Sequence, residues 1–387
     1  MRTLIPVEDN DTQAAVQGFL KKLLQADVVD ALLVPMKTPQ GAITPALVAE
    51  ADLLEHASPL TPVMGLNAAR LAGRVSIREP RERVGVVLRP CELRALVELV
   101  KLQQASLEDL VTIGLDCLGT YDVPVYVASL EGQGGRPNLV GRPNFVGLDT
   151  AAYLATAQSG DLIPQEGYAF RDGCQMCEKP HSEGADVTLE LFGCDPVRGI
   201  PVSLPDEMGQ QLGLAPTEID ARRASRRLQV IEKVTEARTA VRDERFSNIR
   251  GRLDEEGIEG VFSSCIRCHN CMTVCPICYC KTCLFKSQVF DHEPMQYMNW
   301  ARRKGAYRMP ADTTLFHLTR LNHMVLSCIG CGLCTSDCPA ELPVADVFRA
   351  IGQDTQQVFG YEPGRDVEEP LPLITFREDE WVGVGEE

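Results

Sequence analysis

Sixteen cysteines in a chain of 387 residues are the side chains best placed to do chemistry. The run Cys265-x2-Cys268-x2-Cys271-x3-Cys275 ends on Pro276, and it returns as Cys328, Cys331, Cys334 and Cys338 before Pro339. Two-residue spacings let three thiolates of one tight turn face one iron–sulfur cube, and the proline stops the segment from continuing as a regular helix. Structural zinc ordinarily takes cysteines in pairs, or cysteines with histidines. Two complete four-cysteine runs, each ending in Cys-Pro, therefore point to 4Fe-4S clusters rather than zinc. Closely spaced thiols without an export signal argue equally against structural disulfides.

The two runs resemble those of bacterial two-cluster ferredoxins, in which the fourth cysteine of each run reaches across to the other cluster. That resemblance implies one cluster held by Cys265, Cys268, Cys271 and Cys338. Its neighbour is then held by Cys328, Cys331, Cys334 and Cys275.

The elements of the first half position the next cysteines. Thr12 to Gln25 has the apolar period of a helix, with Val16, Phe19, Leu20, Leu23 and Leu24 on one face. Val28 to Val34 reads as a buried strand, and Pro39 to Val63 as a strand, a turn and a short helix. Val84 to Leu88 is a strand that runs into Arg89-Pro90-Cys91. A helix over Glu92 to Gln104 follows, with Leu93, Leu96, Val97 and Val100 on one side. The strand Val111 to Leu115 then ends in Asp116-Cys117. Strand, helix, strand at this spacing is a right-handed βαβ unit. Cys91 and Cys117 thus stand just past the carboxyl ends of neighbouring strands, where open α/β sheets bind ligands. With the Cys174-Gln-Met-Cys177 turn they make four thiols that suit a third cubane cluster; the alternative is buried, inert cysteine.

Cys194 follows a strand over Asp186 to Leu191. By elimination it joins Cys278, Cys280 and Cys283 as the ligands of a fourth cluster; alternatively those three pack beside the ferredoxin-like pair. His269, inside the first run, either tunes a cluster by hydrogen bonding or is a solvated loop side chain. Gly132, Gly134 and Gly135 lie in a Gly/Pro-rich stretch from Glu131 to Leu148 with a repeated Gly-Arg-Pro-Asn. The cluster opens no helix, and Pro137 follows, so a surface loop is the better reading than a phosphate cradle. No Ser/His/Asp grouping or carboxylate pair reads as catalytic.

The fold class expected is an α/β N-terminal domain with a largely parallel sheet, plus a mostly helical C-terminal domain built on a two-cluster ferredoxin-like core. The boundaries read as 1–220 for the α/β domain and 221–256 for a charged helical linker. The cluster domain then covers 257–350, and an acidic tail 351–387. The linker's thin apolar stripe is Leu228, Ile231, Val234 and Val241, with its arginines on a solvated face. Phe290 to His317 is expected to be helical. Net charge is −16 and 44% of residues are hydrophobic. Such a charge disfavours nucleic acid. No apolar run is long enough to span a bilayer, and the first residues lack a secretory core, so a cytoplasmic location is expected.

Beyond the ferredoxin-like runs, the chain resembles the beta subunits of deazaflavin-reducing hydrogenases and related formate dehydrogenases over about residues 80 to 345. The residues that carry this are Arg89-Pro-Cys-Glu-Leu-Arg-Ala-Leu96, Ile113-Gly-Leu-Asp-Cys117, Cys174-Gln-Met-Cys177 with Ala185-Asp-Val187, and Pro276-Ile-Cys-Tyr-Cys280. The resemblance implies a 4Fe-4S cluster on Cys91, Cys117, Cys174 and Cys177. It also implies FAD bound in part by a Gly-Gly-x-x-Thr stretch. The nearest match, Gln40-Gly41-Ala42-Ile43-Thr44, lacks one glycine and is followed by Pro45. A side chain where backbone must approach a phosphate is a physical objection to FAD there.

The function expected is electron transfer. The chain reads as the iron–sulfur subunit of an oxidoreductase complex, partnered by a formate dehydrogenase or hydrogenase catalytic subunit or by heterodisulfide-reductase-like subunits. A flavin-containing subunit that itself reduces or oxidises a deazaflavin or nicotinamide coenzyme is the alternative. A cluster-based redox sensor fits less well, because no DNA-binding pattern accompanies the cysteines.

Overall fold

The computed structural model describes residues 1–77, 82–131, 148–166, 168–196, 198–217 and 221–374. The Gly132, Gly134 and Gly135 cluster with its repeat, and the acidic end of the tail from residue 375, lie outside the described residues. The chain divides into two compact units. The first is Met1–Asp243 with Ile329–Gly332 and Gly364–Pro370, and the second is Glu244–Cys328 with Leu333–Pro363 and Leu371–Glu387.

The first unit is built on a mixed sheet. Its described strands are β1 (Arg2–Pro6), β2 (Ala31–Lys37), β3 (Ile43–Val48), β4 (Val84–Leu88), β5 (Leu110–Leu115), β6 (Val187–Leu189) and β7 (Gly199–Ser203). They lie in the order β1-β7-β6-β5-β4-β2-β3. The middle strands β2, β4, β5 and β6 pair in parallel, while β3 and the β7–β1 pair add antiparallel edges. Every residue of β4 and β5 is buried, which is why neither alternates apolar with exposed polar residues. The α/β class expected from the sequence is borne out.

Helix α1 (Thr12–Gln25) begins where the Asp11 carboxylate accepts from the Ala14 N–H at 2.9 Å. Its buried face is the predicted stripe of Val16, Phe19, Leu20, Leu23 and Leu24. Strand β2 starts later than the apolar run, because the N–H groups of Val28 and Val29 donate to Leu23 O and finish the helix instead. Helix α2 (Pro90–Lys101) starts two residues before the periodic apolar pattern. Pro90 needs no N–H partner in the first turn, and the Glu92 carboxylate reaches back to the Arg89 N–H at 2.9 Å. The other Glu92 oxygen accepts from Ala68 N at 2.9 Å, so this buried carboxylate fastens the loop that carries Cys91.

Helix α3 (Ala221–Val261) contributes residues to both units, up to Asp243 in the first and from Glu244 in the second. Gly257 interrupts it with φ 65°. Its buried face carries Val230, Ile231, Val234 and Arg238, whereas Leu228 is 68% exposed, so the expected stripe is corrected at that position. The second unit also contains α4 (Pro294–Lys304), α5 (Thr313–Met324) and α6 (Val344–Val358). The single helical region expected over 290–317 is thus two helices, separated after Gly305, whose φ is 81°. Among the described residues no helix is long and apolar enough to cross a membrane.

Candidate iron–sulfur sites

In the first unit Cys91 occupies the first turn of α2, directly after β4, and Cys117 stands two residues past β5. Because β4 and β5 are parallel neighbours, both loops leave the sheet at the same edge. Cys117 N donates to Pro180 O, Arg171 N to Thr120 O, and Cys174 N to Arg171 O, each at 2.8 Å. These bonds tie the Cys174–Cys177 turn to the loop after β5. One cavity is lined by all four of Cys91, Cys117, Cys174 and Cys177, together with Arg89, Arg171, Arg238 and Cys331. The helical turn bearing Cys174 lies flat on the turn bearing Cys331. A Cβ on Gly173 would stand 2.7 Å from Gly332 Cα and 2.9 Å from Cys331 O.

Charge in the cavity is arranged around sulfur. Burial pushes the Cys91 thiol up, with Glu92, Cys331, Cys117 and Cys177 adding to it. Burial and Cys174 push Cys117 up to about 11, against Arg89 and Arg238. At Cys174 burial again raises the value, but Arg171, the Thr120 hydroxyl and Arg238 outweigh it and the thiol falls below its ordinary range. Arg171 is 2% exposed; its Nη2 lies 3.6 Å from Cys174 Sγ and its Nε donates to Thr120 Oγ1 at 2.8 Å. Arg171 Nη1 is buried without a hydrogen-bond partner. Four thiolates and a donor still seeking an acceptor fit a group rich in sulfur, and three arginines supply compensating charge.

Asp116 holds the loop that carries Cys117. It is 1% exposed, and its oxygens accept from Leu191 N (2.8 Å), Phe192 N (3.1 Å) and Arg227 Nη2 (3.0 Å). Arg227 Nη1 closes a second bond to the same carboxylate, and Arg227 Nε lies 3.6 Å from Glu190. The arginines of α3 are therefore not merely a solvated face, as their composition alone had implied.

In the second unit the first cysteine run takes a conformation that repeats along the chain. Arg267 (φ 54°) and His269 (φ 65°) occupy the left-handed positions that Gly330 (φ 75°) and Gly332 (φ 73°) occupy in the other run. A non-glycine residue there costs roughly 1–2 kcal/mol, and tertiary contacts offset it. Arg267 pairs with Asp312 and lies over the Phe290 ring at 5.9 Å. The His269 ring packs against Phe316 at 4.9 Å. His269 is half-buried, and its Nε2 is buried without a hydrogen-bond partner.

The thiols of the second unit cross between runs. Burial pushes Cys265 up, and Cys338 and Cys268 are among the neighbours that add to it. Burial pushes Cys271 up to about 11 against Arg320, with Cys265, Cys338 and Cys268 adding. Cys338, from the second run, therefore shares its surroundings with the first three cysteines of the first run. Cys275 and Cys334 meet around Arg320, beside Cys271 and Cys278. Among the described residues no three candidate ligands stand at the spacing of a single metal ion.

Two residues at these thiols escape a reading based on cysteine spacing. His317 and Arg320 project from α5 at positions i and i+3. His317 Nε2 lies 3.4 Å from Cys265 Sγ, and its ring stacks on Phe262 at 3.7 Å. Burial and Arg320 hold His317 down to about 3, so the ring is neutral. Arg320 Nη1 donates to Cys271 Sγ and Nη2 to Cys271 O, both at 3.1 Å. The available signal was a His-x2-Arg pair on the helix just before the second run.

Cys194 lies in the first unit, where its Sγ donates to Leu191 O at 2.9 Å and Glu190 O at 3.2 Å. Burial and Asp116 push it up to about 12, and no cysteine is among the groups that act on it most. Cys278, Cys280 and Cys283 lie in the second unit. Burial and Cys275 push Cys278 up to about 11, with Cys280 and Cys283 also adding. Cys283 Sγ is 3.7 Å from Met272 Sδ.

The stretch compared with a flavin site is the tip of the β2–β3 hairpin, where Thr38 N donates to Ala42 O at 2.8 Å. Gly41 has φ +87°, its carbonyl accepts from the Tyr126 hydroxyl at 3.0 Å, and a Cβ there would meet Leu130 at 2.9 Å. Gly41 thus packs against Leu130 and Tyr126 of the chain itself.

A mixed sheet whose parallel central strands end at cysteines, in a chain that also carries two four-cysteine runs, points to an iron–sulfur protein of the redox-complex class. Residues 81–199 match the family described as the C-terminal part of the coenzyme F420 hydrogenase/dehydrogenase beta subunit, and residues 261–342 match the 4Fe-4S dicluster domain. The resemblance read from the sequence is borne out, and the chain carries both domains in one polypeptide. It is 27% identical over 400 aligned positions to the F420-dependent formate dehydrogenase 1 subunit beta of Methanococcus maripaludis, covering 95% of this chain and 94% of that one. It is 26% identical to the F420-dependent formate dehydrogenase subunit beta of Methanocaldococcus jannaschii, over 76% of this chain and 77% of the relative. A chain of the F420-reducing [NiFe] hydrogenase complex from Methanosarcina barkeri aligns with a TM-score of 0.39 and 13% identity, over 64% of this chain and 92% of that one, too slight a likeness to carry an argument.

Proposed function

We propose that this chain is the iron–sulfur electron-transfer subunit of an oxidoreductase complex of the formate dehydrogenase or hydrogenase kind, working beside a separate catalytic subunit. The observation that carries the reading is the buried cavity where Cys91, Cys117, Cys174 and Cys177 meet among three arginines. We assign these four thiols to one 4Fe-4S cluster. Cys265, Cys268, Cys271 and Cys338 hold a second, and Cys328, Cys331, Cys334 and Cys275 a third. Bound clusters of this type take up and release single electrons. The chain's own residues fix the thiols, exclude water and supply positive charge. Asp116 and Glu92 anchor the loops of Cys117 and Cys91, and Arg171 and Arg238 face the sulfurs. We leave Cys194, whose Sγ donates to Leu191 O and Glu190 O, outside the ligand sets, with Cys278 beside Cys275 and Cys283 beside Met272.

The test is Cys91→Ser in anaerobically purified protein. It is expected to remove about four irons per chain and one paramagnetic signal, with the ferredoxin-like pair retained. An unchanged iron count would take the first-unit site out of the proposal.

A second reading, a flavin-carrying subunit that acts on a deazaflavin or nicotinamide, has one observation in its favour. A cavity of about 360 Å³ between α3 and residues 160–175 shares Arg238 with the thiol cavity and is lined mainly by apolar side chains such as Leu162, Val234 and Val241. Flavin absorbance stoichiometric with purified chain would favour that reading; its absence from fully iron-loaded protein would end it.

A further inference from the structure

We propose that α5 raises the potential of the cluster of Cys265, Cys268, Cys271 and Cys338, and that Arg320 is the positioning residue through which it does so. The inference rests on the cluster assignment above and goes beyond it by naming the side chains that tune one of its sites.

Arg320 is 4% exposed and lies in the second unit, among thiols contributed by both runs. Its guanidinium is held in one place. Nη1 and Nη2 both bind Cys271, through its sulfur and its carbonyl, at 3.1 Å. The cation lies over the rings of Phe348 at 4.7 Å and Phe316 at 5.5 Å. Its Nε is buried with no partner. The groups that act on it most are Cys271, then Cys275, Cys334 and Cys278; no carboxylate is among them. A buried guanidinium whose principal counter-charges are sulfurs is arranged for a site that carries negative charge of its own.

Reduction adds one electron to a cluster. A fixed cation nearby and an N–H···S bond to a ligand both favour the more negative state, so both raise its potential. Arg320 supplies both to the set containing Cys271, and its charge also acts on Cys275 and Cys334 of the other set. One helical turn earlier, His317 Nε2 meets Cys265, a second ligand of the same favoured set, at 3.4 Å. On an iron-bound thiolate, which offers only lone pairs, that ring nitrogen acts as the donor. These two side-chain contacts from α5 therefore fall on ligands of one cluster.

The experiment is a redox titration of the full chain, purified anaerobically, followed by electron paramagnetic resonance, for wild type, R320Q, R320K and H317F. Iron per chain is measured on the same samples. R320Q is expected to retain its iron and to lower one midpoint by about tenfold in the reduction equilibrium, about 59 mV for a one-electron couple, and the other by less. R320K restores part of the charge without the fork and falls between. H317F keeps a ring on Phe262 but removes the nitrogen, and lowers the same midpoint as R320Q. Should R320Q lose iron, H317F carries the decision. Iron-loaded variants with unmoved midpoints, or with both midpoints lowered equally, overturn the proposal while leaving the cluster assignment intact. A wild-type chain free of iron would instead sink the assignment on which it stands.

Discussion

Replacing Asp116 by Asn tests how the first-unit site is held. The carboxylate is 1% exposed and is shared by the backbone N–H groups of Leu191, Phe192 and Ser182 at 2.8, 3.1 and 3.4 Å and by the Arg227 guanidinium. Asparagine keeps the shape but removes the charge, and it offers only one acceptor oxygen to donors on both sides. Its NH2 must then face an N–H or a guanidinium. Removing one partner of a buried ion pair costs about 3–5 kcal/mol. Glu190, 3.6 Å from Arg227 Nε, leaves that cation one remaining carboxylate, so the lower end, about 3 kcal/mol, is the appropriate figure. For a unit of this size each kcal/mol lowers the melting temperature by about 2–4 °C, and the expected drop is roughly 6–12 °C. Parallel thermal scans of anaerobic wild type and D116N, followed by circular dichroism, measure it. The double variant D116N/R227M should be less destabilised than the sum of the single variants, because no cation is left stranded. D116N melting together with wild type would refute the claim that this pair fastens the Cys117 loop.

Cys275→Ser is expected to damage the cluster ligated by Cys328, Cys331 and Cys334 and to spare the one nearest it in sequence; spectroscopic loss of the other cluster would show that the runs do not cross. Cys194→Ser is expected to leave iron per chain unchanged, since serine can donate to the same carbonyls of Leu191 and Glu190. A loss of about four irons would instead make Cys194 a ligand.

Local order was legible wherever one pattern decided the outcome. The predicted bounds of α1 and β4 agree with the structure residue for residue, because an uninterrupted apolar period or run, with nothing competing, leaves little choice. The convergence of Cys91 and Cys117 followed from the parallel βαβ rule alone. Boundaries failed where capping intervened. Pro90 and Glu92 opened α2 early, and Val28 and Val29 were taken up by the end of α1. Leu228 failed because it falls outside the face of α3 that carries Val230, Val234 and Arg238. The electrostatic furniture of the sites was not legible. Arg171, Arg238, His317 and Arg320 are each remote in sequence from most of the thiols they serve, and their burial is a consequence of tertiary packing. The left-handed turn at Arg267 and His269 was hidden for a related reason. Glycine marks it at Gly330 and Gly332, whereas in the first run side-chain contacts replace that signal.

The most direct test of the whole account is the metal content of the intact chain, purified without exposure to oxygen. Three clusters predict about twelve irons with matching acid-labile sulfide per chain, and paramagnetic signals on reduction that account for all of them. A folded, active chain that contains zinc in place of iron, or no metal at all, would contradict it.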